Sequence, residues 1–151
     1  MVGINHRVGI KAPVSKVYEA LSTVEGVASW WTTETMGESR PGETVDVRFI
    51  QPTGEERGRM NFEVMELDPD RKVHWRFRSG PEEWVGTDVT FDLAQNGDYT
   101  IVLFNHTWRE FVEFTAHCST KWATFLLSLK DLVETGRGKP SPYDLKIDDW
   151  N

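Results

Sequence analysis

The chain has 151 residues, and its 17 basic and 24 acidic side chains give a net charge of −7. This balance argues against a nucleic-acid binder and against attachment to an anionic membrane, because both depend on clustered lysine and arginine. No apolar run is long enough to span a bilayer, and the N-terminus lacks a signal-peptide pattern. Cys118 is the single cysteine, which fits a reducing compartment. We therefore expect one cytoplasmic domain over residues 1–151.

The first third of the chain predicts one strand and two short helices. Apolar residues alternate with polar ones over 4–10, which is typical of a strand with one buried face. Pro13 stands where a helix can begin, because the first turn does not need its missing N–H group. Apolar residues then recur at helical spacing through Leu21, and a second short helix is predicted around Val24, Val27 and the pair Trp30-Trp31.

From residue 44 onward, apolar residues recur at every second position. This pattern predicts five more strands, at about 44–50, 57–67, 72–78, 85–93 and 99–108, separated by turns rich in Gly, Pro and Asp. Asn96-Gly97 is typical of a tight hairpin turn. The six strands together predict an antiparallel sheet with one apolar and one solvated face.

The last predicted element is a long helix at about 115–135 with one apolar stripe, ended by Gly136. It is the only element long enough to cover the apolar face of the sheet. We therefore predict an α+β helix-grip fold, in which a curved antiparallel sheet of about six strands wraps the C-terminal helix. The two short helices are expected to frame a gap at one end, and residues 139–151 are expected to form an irregular tail.

Four stretches of the sequence resemble a known superfamily: Ala12–Leu21, the Trp30-Trp31 pair, Gly58–Val64 and Trp122–Leu132. They are similar to the START/SRPBCC (helix-grip) superfamily, and more narrowly to its heat-shock-protein-ATPase-activator-like (AHSA-type) branch. The resemblance implies a cavity between the sheet and the long helix, which members use for lipids, sterols, polyketides and plant hormones. Some members are cyclases or substrate domains of oxygenases, and the branch takes its name from a co-chaperone domain.

The strand alternation and the helix stripe predict which side chains face the interior and line a ligand pocket. Aromatic side chains are the usual walls of small-molecule sites. No cofactor or metal is expected, since His117 and Cys118 point about 100° apart on a helix and no phosphate loop or paired-cysteine motif occurs. The predicted ligand-binding residues are Trp31, Phe49, Phe62, Trp75, Phe77, Phe91, Phe104, His106, Trp108, Trp122 and Phe125.

Three functions remain open. The leading hypothesis is non-enzymatic binding of a small hydrophobic or amphipathic molecule, with His106 and Arg109 orienting it. The first alternative is a cyclase, dehydratase or hydrolase that uses His106 as general acid or base, since histidine titrates near neutral pH. The second is a co-chaperone-like or stress-related interaction module that uses the tail and an exposed Trp84, which is out of phase with its strand. The expected partner is a small hydrophobic molecule, not nucleic acid or membrane, and a homodimer is left open.

Overall fold

A seven-stranded antiparallel sheet and three helices form the fold in the computed structural model, which describes residues 2–151. Across the sheet the strands run in the order β1-β7-β6-β5-β4-β3-β2, so the first strand pairs with the last. The strands are β1 (Val2–Ile10), β2 (Glu34–Gly37), β3 (Thr44–Ile50), β4 (Glu56–Asp68), β5 (Lys72–Ser79), β6 (Asp88–Asn96) and β7 (Tyr99–Trp108), and the helices are α1 (Val14–Ser22), α2 (Val24–Trp30) and α3 (Glu113–Thr135). The predicted α+β helix-grip fold is confirmed.

The core lies between one face of the sheet and α3. In β5, Val73, Trp75 and Phe77 are at most 1% exposed, while their polar neighbours on the strand are half-buried or exposed. On α3 the apolar stripe is likewise buried, including Trp122 and Leu126. The apolar face of the sheet and the apolar stripe of α3 therefore pack on each other as predicted, because each element has a single apolar face to cover.

The ends of α3 are defined by local hydrogen bonds. At the start, the Thr115 hydroxyl accepts the backbone N–H of Val112 at 3.1 Å, so the helix begins two residues earlier than predicted. At the end, Gly136 adopts φ 88° and its N–H donates to the carbonyl of Leu132 at 2.8 Å. Glycine has no Cβ to strain this left-handed conformation, and the predicted stop is confirmed.

Two features of the sheet were not predicted. The edge strand β2 has only four residues, and Met36 within it is 62% exposed, so it carries too little pattern to detect. The strand predicted from residue 85 begins instead at Asp88, because residues 81–86 form a turn in which the N–H of Trp84 donates to the carbonyl of Pro81. Val85, the first residue of the predicted strand, is 39% exposed.

The same turn corrects the interpretation of Trp84 as an exposed contact residue. Its side chain is only 5% exposed. Its ring packs edge-on against Phe77 at 4.8 Å and stacks on Trp122 at 5.9 Å. The turn, unlike the continued strand that was assumed, directs the indole inward, so Trp84 is part of the core.

The tail lies against the body of the protein. The N–H of Ser141 donates to the carbonyl of Trp31 at 2.8 Å, and the N–H of Lys139 donates to the hydroxyl of Ser128 at 2.7 Å. A Cβ on Gly138 would come within 2.5 Å of the carbonyl oxygen of Ser29, so the chain passes very close to α2. Among residues 2–151, none of the helices combines the length and apolarity needed to cross a membrane.

Candidate functional site

The middle of the core is filled by aromatic rings that pack on one another. Trp31 stacks on Trp75 with ring centroids 5.7 Å apart and contacts Trp122 at 5.0 Å. Phe62 stacks on Trp75 at 4.2 Å. These distances are typical of favourable aromatic pairs, so no ligand-sized space remains between these rings.

A pocket of about 170 Å³ remains at one end of this core. It is enclosed by the ends of β3 and β4, the turn after β5 and the N-terminal half of α3. Cavities near 150 Å³ hold a benzene-sized molecule, whereas drug-sized ligands need roughly 300 Å³ or more. The lining residues are Trp31, Phe49, Arg57, Gly58, Met60, Pro81, Trp84, Phe114, His117, Cys118, Lys121, Trp122, Phe125 and Asn151.

The structure brings only some of the predicted site residues to this pocket. Trp31, Phe49, Trp122 and Phe125 line it. Trp108 borders a separate surface hollow with mostly charged walls, including Glu82 and Glu83. The others lie inside the core and are almost fully buried: Phe62, Trp75, Phe77, Phe91, Phe104 and His106. Alternation identified the inward face of each strand, but position along the strand decides whether a side chain meets the pocket or another ring.

His106 is completely buried, and both nitrogens of its ring have hydrogen-bond partners. Its Nε2 lies 2.9 Å from the hydroxyl of Thr87, and its Nδ1 accepts the indole N–H of Trp122 at 3.2 Å. Burial lowers the pKa of His106 to about 3, because the imidazolium would lose its hydration. A neutral imidazole whose two nitrogens are both occupied can donate no proton to a molecule in the pocket.

Arg109 does not point at the pocket either. Its guanidinium donates to the carbonyl of Val85 at 2.8 Å and to the carbonyl of Glu82 at 2.7 Å. It therefore fastens the 81–86 turn to the end of β7. The expectation that Arg109 orients a ligand is thus not supported by its position.

Arg57 reaches the pocket through an irregularity in the sheet that the sequence did not reveal. Phe49 pairs with Gly58, but the next residue, Ile50, pairs with Glu56. Arg57 is therefore the extra residue of a β-bulge, and bulges redirect side chains relative to the regular alternation. No sequence signal marks this bulge.

The rim of the pocket also contains His117 and Lys121, one turn apart on α3 and each paired with a tail carboxylate. His117 Nδ1 lies 2.6 Å from Asp148 Oδ2, and this contact lowers the pKa of Asp148. Lys121 forms an ion pair with Asp144, and both side chains are less than 10% exposed. The tail is thereby fixed beside the opening.

The last residues of the tail form part of the opening itself. The Trp150 ring lies 5.1 Å from that of His117, and Asn151 is among the lining residues. Outside, the opening continues into a wider surface groove lined by Arg57, Pro81, Phe114, His117 and Asn151, together with Glu83 and Trp150. We call this the outer groove.

Cys118 lies in the pocket wall, but it is not an activated nucleophile. It is 5% exposed, and burial raises the pKa of its thiol to about 12. Its neighbour His117 is occupied by Asp148. Within residues 2–151, no three His, Cys, Asp or Glu side chains are grouped as a metal ion would require.

The chain is similar to known proteins over most of its length. Residues 11–134 match the model of the family described as Activator of Hsp90 ATPase homolog 1-like protein. Comparison with curated proteins found no match.

Solved structures resemble the whole fold. The Aha1 dimer of Colwellia psychrerythraea is 43% identical, with a TM-score of 0.78 over 91% of this chain and 100% of that chain. CalU16 of Micromonospora echinospora is 21% identical, with a TM-score of 0.69 over 93% of this chain and 77% of that chain. DynU16, from the dynemicin biosynthetic locus, is 20% identical, with a TM-score of 0.74 over 90% of this chain and 48% of that chain. The last two likenesses show the fold alone.

Proposed function

The chain belongs to the Activator of Hsp90 ATPase homolog 1-like protein family, and from this premise we propose that it binds a small apolar or amphipathic molecule without catalysing a reaction. The family match bears out the resemblance to the AHSA-type branch. One observation carries the proposal: a pocket of about 170 Å³, walled by Trp31, Trp122 and Phe125, remains in an otherwise filled core. Its volume suits a molecule built on one aromatic ring.

Binding in this pocket would derive mainly from burial of apolar surface. The walls are already rigid, because Trp31 and Trp122 are each at most 2% exposed and pack on each other. A preformed site loses little side-chain freedom when a ligand enters. Of the two alternatives, the enzyme has no support from the position of His106, and an interaction module could not use Trp84, which is buried.

The proposal is tested by NMR titration of the ¹⁵N-labelled protein with toluene and with benzyl alcohol. We expect saturable shifts of the indole N–H signals of Trp31 and Trp122. The Cys118→Phe variant places a ring in the pocket and should abolish these shifts. Leu127→Phe is the matched control, because Leu127 is 54% exposed and the same ring there leaves the pocket free. Equal shifts in both variants, or none in the wild type, would rule the pocket out as the site.

A homodimer is a second proposal, favoured by the Colwellia psychrerythraea relative whose solved structure is a dimer. This chain exposes large apolar side chains, among them Phe111 at 67% and Leu145 at 67%, which a second copy could cover. Light scattering coupled to size-exclusion chromatography measures the mass directly. A mass of 17.4 kDa at all concentrations would contradict the dimer.

A further inference from the structure

The ionisable side chains that line the pocket are all basic or neutral. Arg57, His117 and Lys121 lie at its rim, and no aspartate or glutamate is among the lining residues. The chain as a whole carries a net charge of −7, so a pocket lining without acidic side chains differs from the rest of the protein. A basic lining side chain without a close carboxylate would attract an anionic group and repel a cationic one.

Two of these three basic residues are already occupied. Lys121 donates to Asp144 and, at 2.9 Å, to the carbonyl of Leu145, while His117 is paired with Asp148. The tail thus supplies a carboxylate to each. Of the three, only Arg57 is not paired with a tail carboxylate, and its contact with Glu55 is long and exposed.

Arg57 differs from the arginines on the outer face of the sheet. Arg48, Arg59 and Arg78 each have a carboxylate oxygen at 2.5–2.8 Å. Within the described residues, the one ion pair of Arg57 is a contact of 3.5 Å with Glu55, and both side chains are more than half exposed. The β-bulge turns this guanidinium away from those arginines and toward the pocket.

From this arrangement we propose that the ligand is a one-ring aromatic carboxylate, with its ring in the pocket and its carboxylate on the guanidinium of Arg57. The inference rests on the proposed function, since it concerns the same pocket. The volume limits the buried part to about one ring. A planar guanidinium matches a carboxylate with two parallel hydrogen bonds, which a lysine cannot provide. The outer groove leaves room for small ring substituents beside Phe114 and Trp150.

Calorimetric titration with three probes of similar size tests the proposal: benzoate, benzyl alcohol and benzylammonium. We expect benzoate to bind about tenfold more tightly than benzyl alcohol, in keeping with a partly exposed charge-assisted hydrogen bond. Benzylammonium should bind most weakly. In Arg57→Gln the advantage of benzoate over benzyl alcohol should disappear, and Arg57→Lys should restore only part of the advantage.

Arg59→Gln is the matched control, because it removes the same charge from β4 but at a side chain paired with Asp46. It should leave the preference for benzoate intact. An equal loss in Arg59→Gln would show a general charge effect and overturn the role of Arg57. Equal affinities for benzoate and benzyl alcohol in the wild type would overturn the carboxylate preference while leaving the pocket in place. Failure of all three probes would remove the proposed binding function itself.

Discussion

The indole N–H of Trp122 donates to Nδ1 of His106 at 3.2 Å in the centre of the core. Nδ1 is therefore an acceptor, and the imidazole carries its proton on Nε2. Nε2 then donates to the Thr87 hydroxyl at 2.9 Å, which itself donates to the carbonyl of Trp84 at 2.6 Å. This series of hydrogen bonds joins α3, β7 and the 81–86 turn, and burial keeps His106 neutral by lowering its pKa.

His106 should make the protein less stable in mild acid. Its pKa is about 3 in the folded protein against 6.5 for the free side chain, so between these values only the unfolded chain takes up the proton. Its contribution to stability is complete above pH 6.5 and is lost as the pH falls. Between pH 7 and pH 5 we expect the free energy of unfolding to fall by about 2 kcal/mol from this group. Urea denaturation at both pH values measures the loss.

His106→Gln identifies the source of this effect. The variant should be less stable at pH 7, but most of the decrease between pH 7 and pH 5 should be gone. His6→Gln, which changes a half-buried histidine of β1, should retain the decrease. An unchanged decrease in His106→Gln would mean that other groups cause it.

Cys118 should resist alkylation in the folded protein. With its pKa near 12, its thiolate fraction at pH 8 is about 10³ times smaller than that of a free cysteine, and access is also restricted. Iodoacetamide labelling followed by mass spectrometry should be slow in native protein and rapid in urea. Deleting residues 149–151 removes Asn151 from the pocket wall and should accelerate native labelling several-fold at an unchanged melting temperature. An identical rate in the deletion variant would show that the tail does not limit access.

Breaking the ion pair between Lys121 and Asp144 should destabilise the folded protein, because one charge would then stay buried without a partner. Both side chains are less than 10% exposed, so Lys121→Met leaves an aspartate buried without a partner. We expect a loss of about 3 kcal/mol, measured by urea denaturation. The double variant Lys121→Met/Asp144→Leu should recover much of it.

Arg71→Gln provides the comparison for this pair. Arg71 lies 3.7 Å from Asp68, with 80% of its side chain exposed, so its loss should change stability by less than about 1 kcal/mol. Equal effects of Lys121→Met and Arg71→Gln would contradict a contribution from burial of the pair.

Gly138→Ala should detach the start of the tail from α2. The added Cβ would lie 2.5 Å from the carbonyl oxygen of Ser29 and 3.0 Å from that of Ser128, and neither backbone atom can move freely. We expect a lower melting temperature and faster hydrogen exchange at Ser141, whose N–H is bonded to Trp31. Gly9→Ala, where the nearest atom is 3.4 Å away on the Tyr99 ring, should have a much smaller effect.

The sequence by itself determined the architecture. Alternation in β5 and the stripe on α3 define faces that have to be buried, and the order of the elements leaves one way to bury them. The same periodicity placed Trp31 and Trp122 inside the protein. The stop of α3 at Gly136 was also predictable, because it depends on the local conformation of one residue.

The tertiary structure alone decided which inward residues meet the pocket. Periodicity shows which face of the sheet a side chain is on, but not whether its position along the strand is next to the pocket. Phe62 and Phe104 were therefore predicted as ligand contacts, although they pack in the filled core. The position of Arg57 depends on a bulge, and that of Trp84 on a turn in place of a strand. The position of Asn151 depends on the course of the tail. The bulge arises from the pairing of β3 with β4, and the course of the tail from contacts with distant residues such as Trp31. The 81–86 turn is local, but the alternation of residues 85–93 fits a strand equally well and does not reveal it.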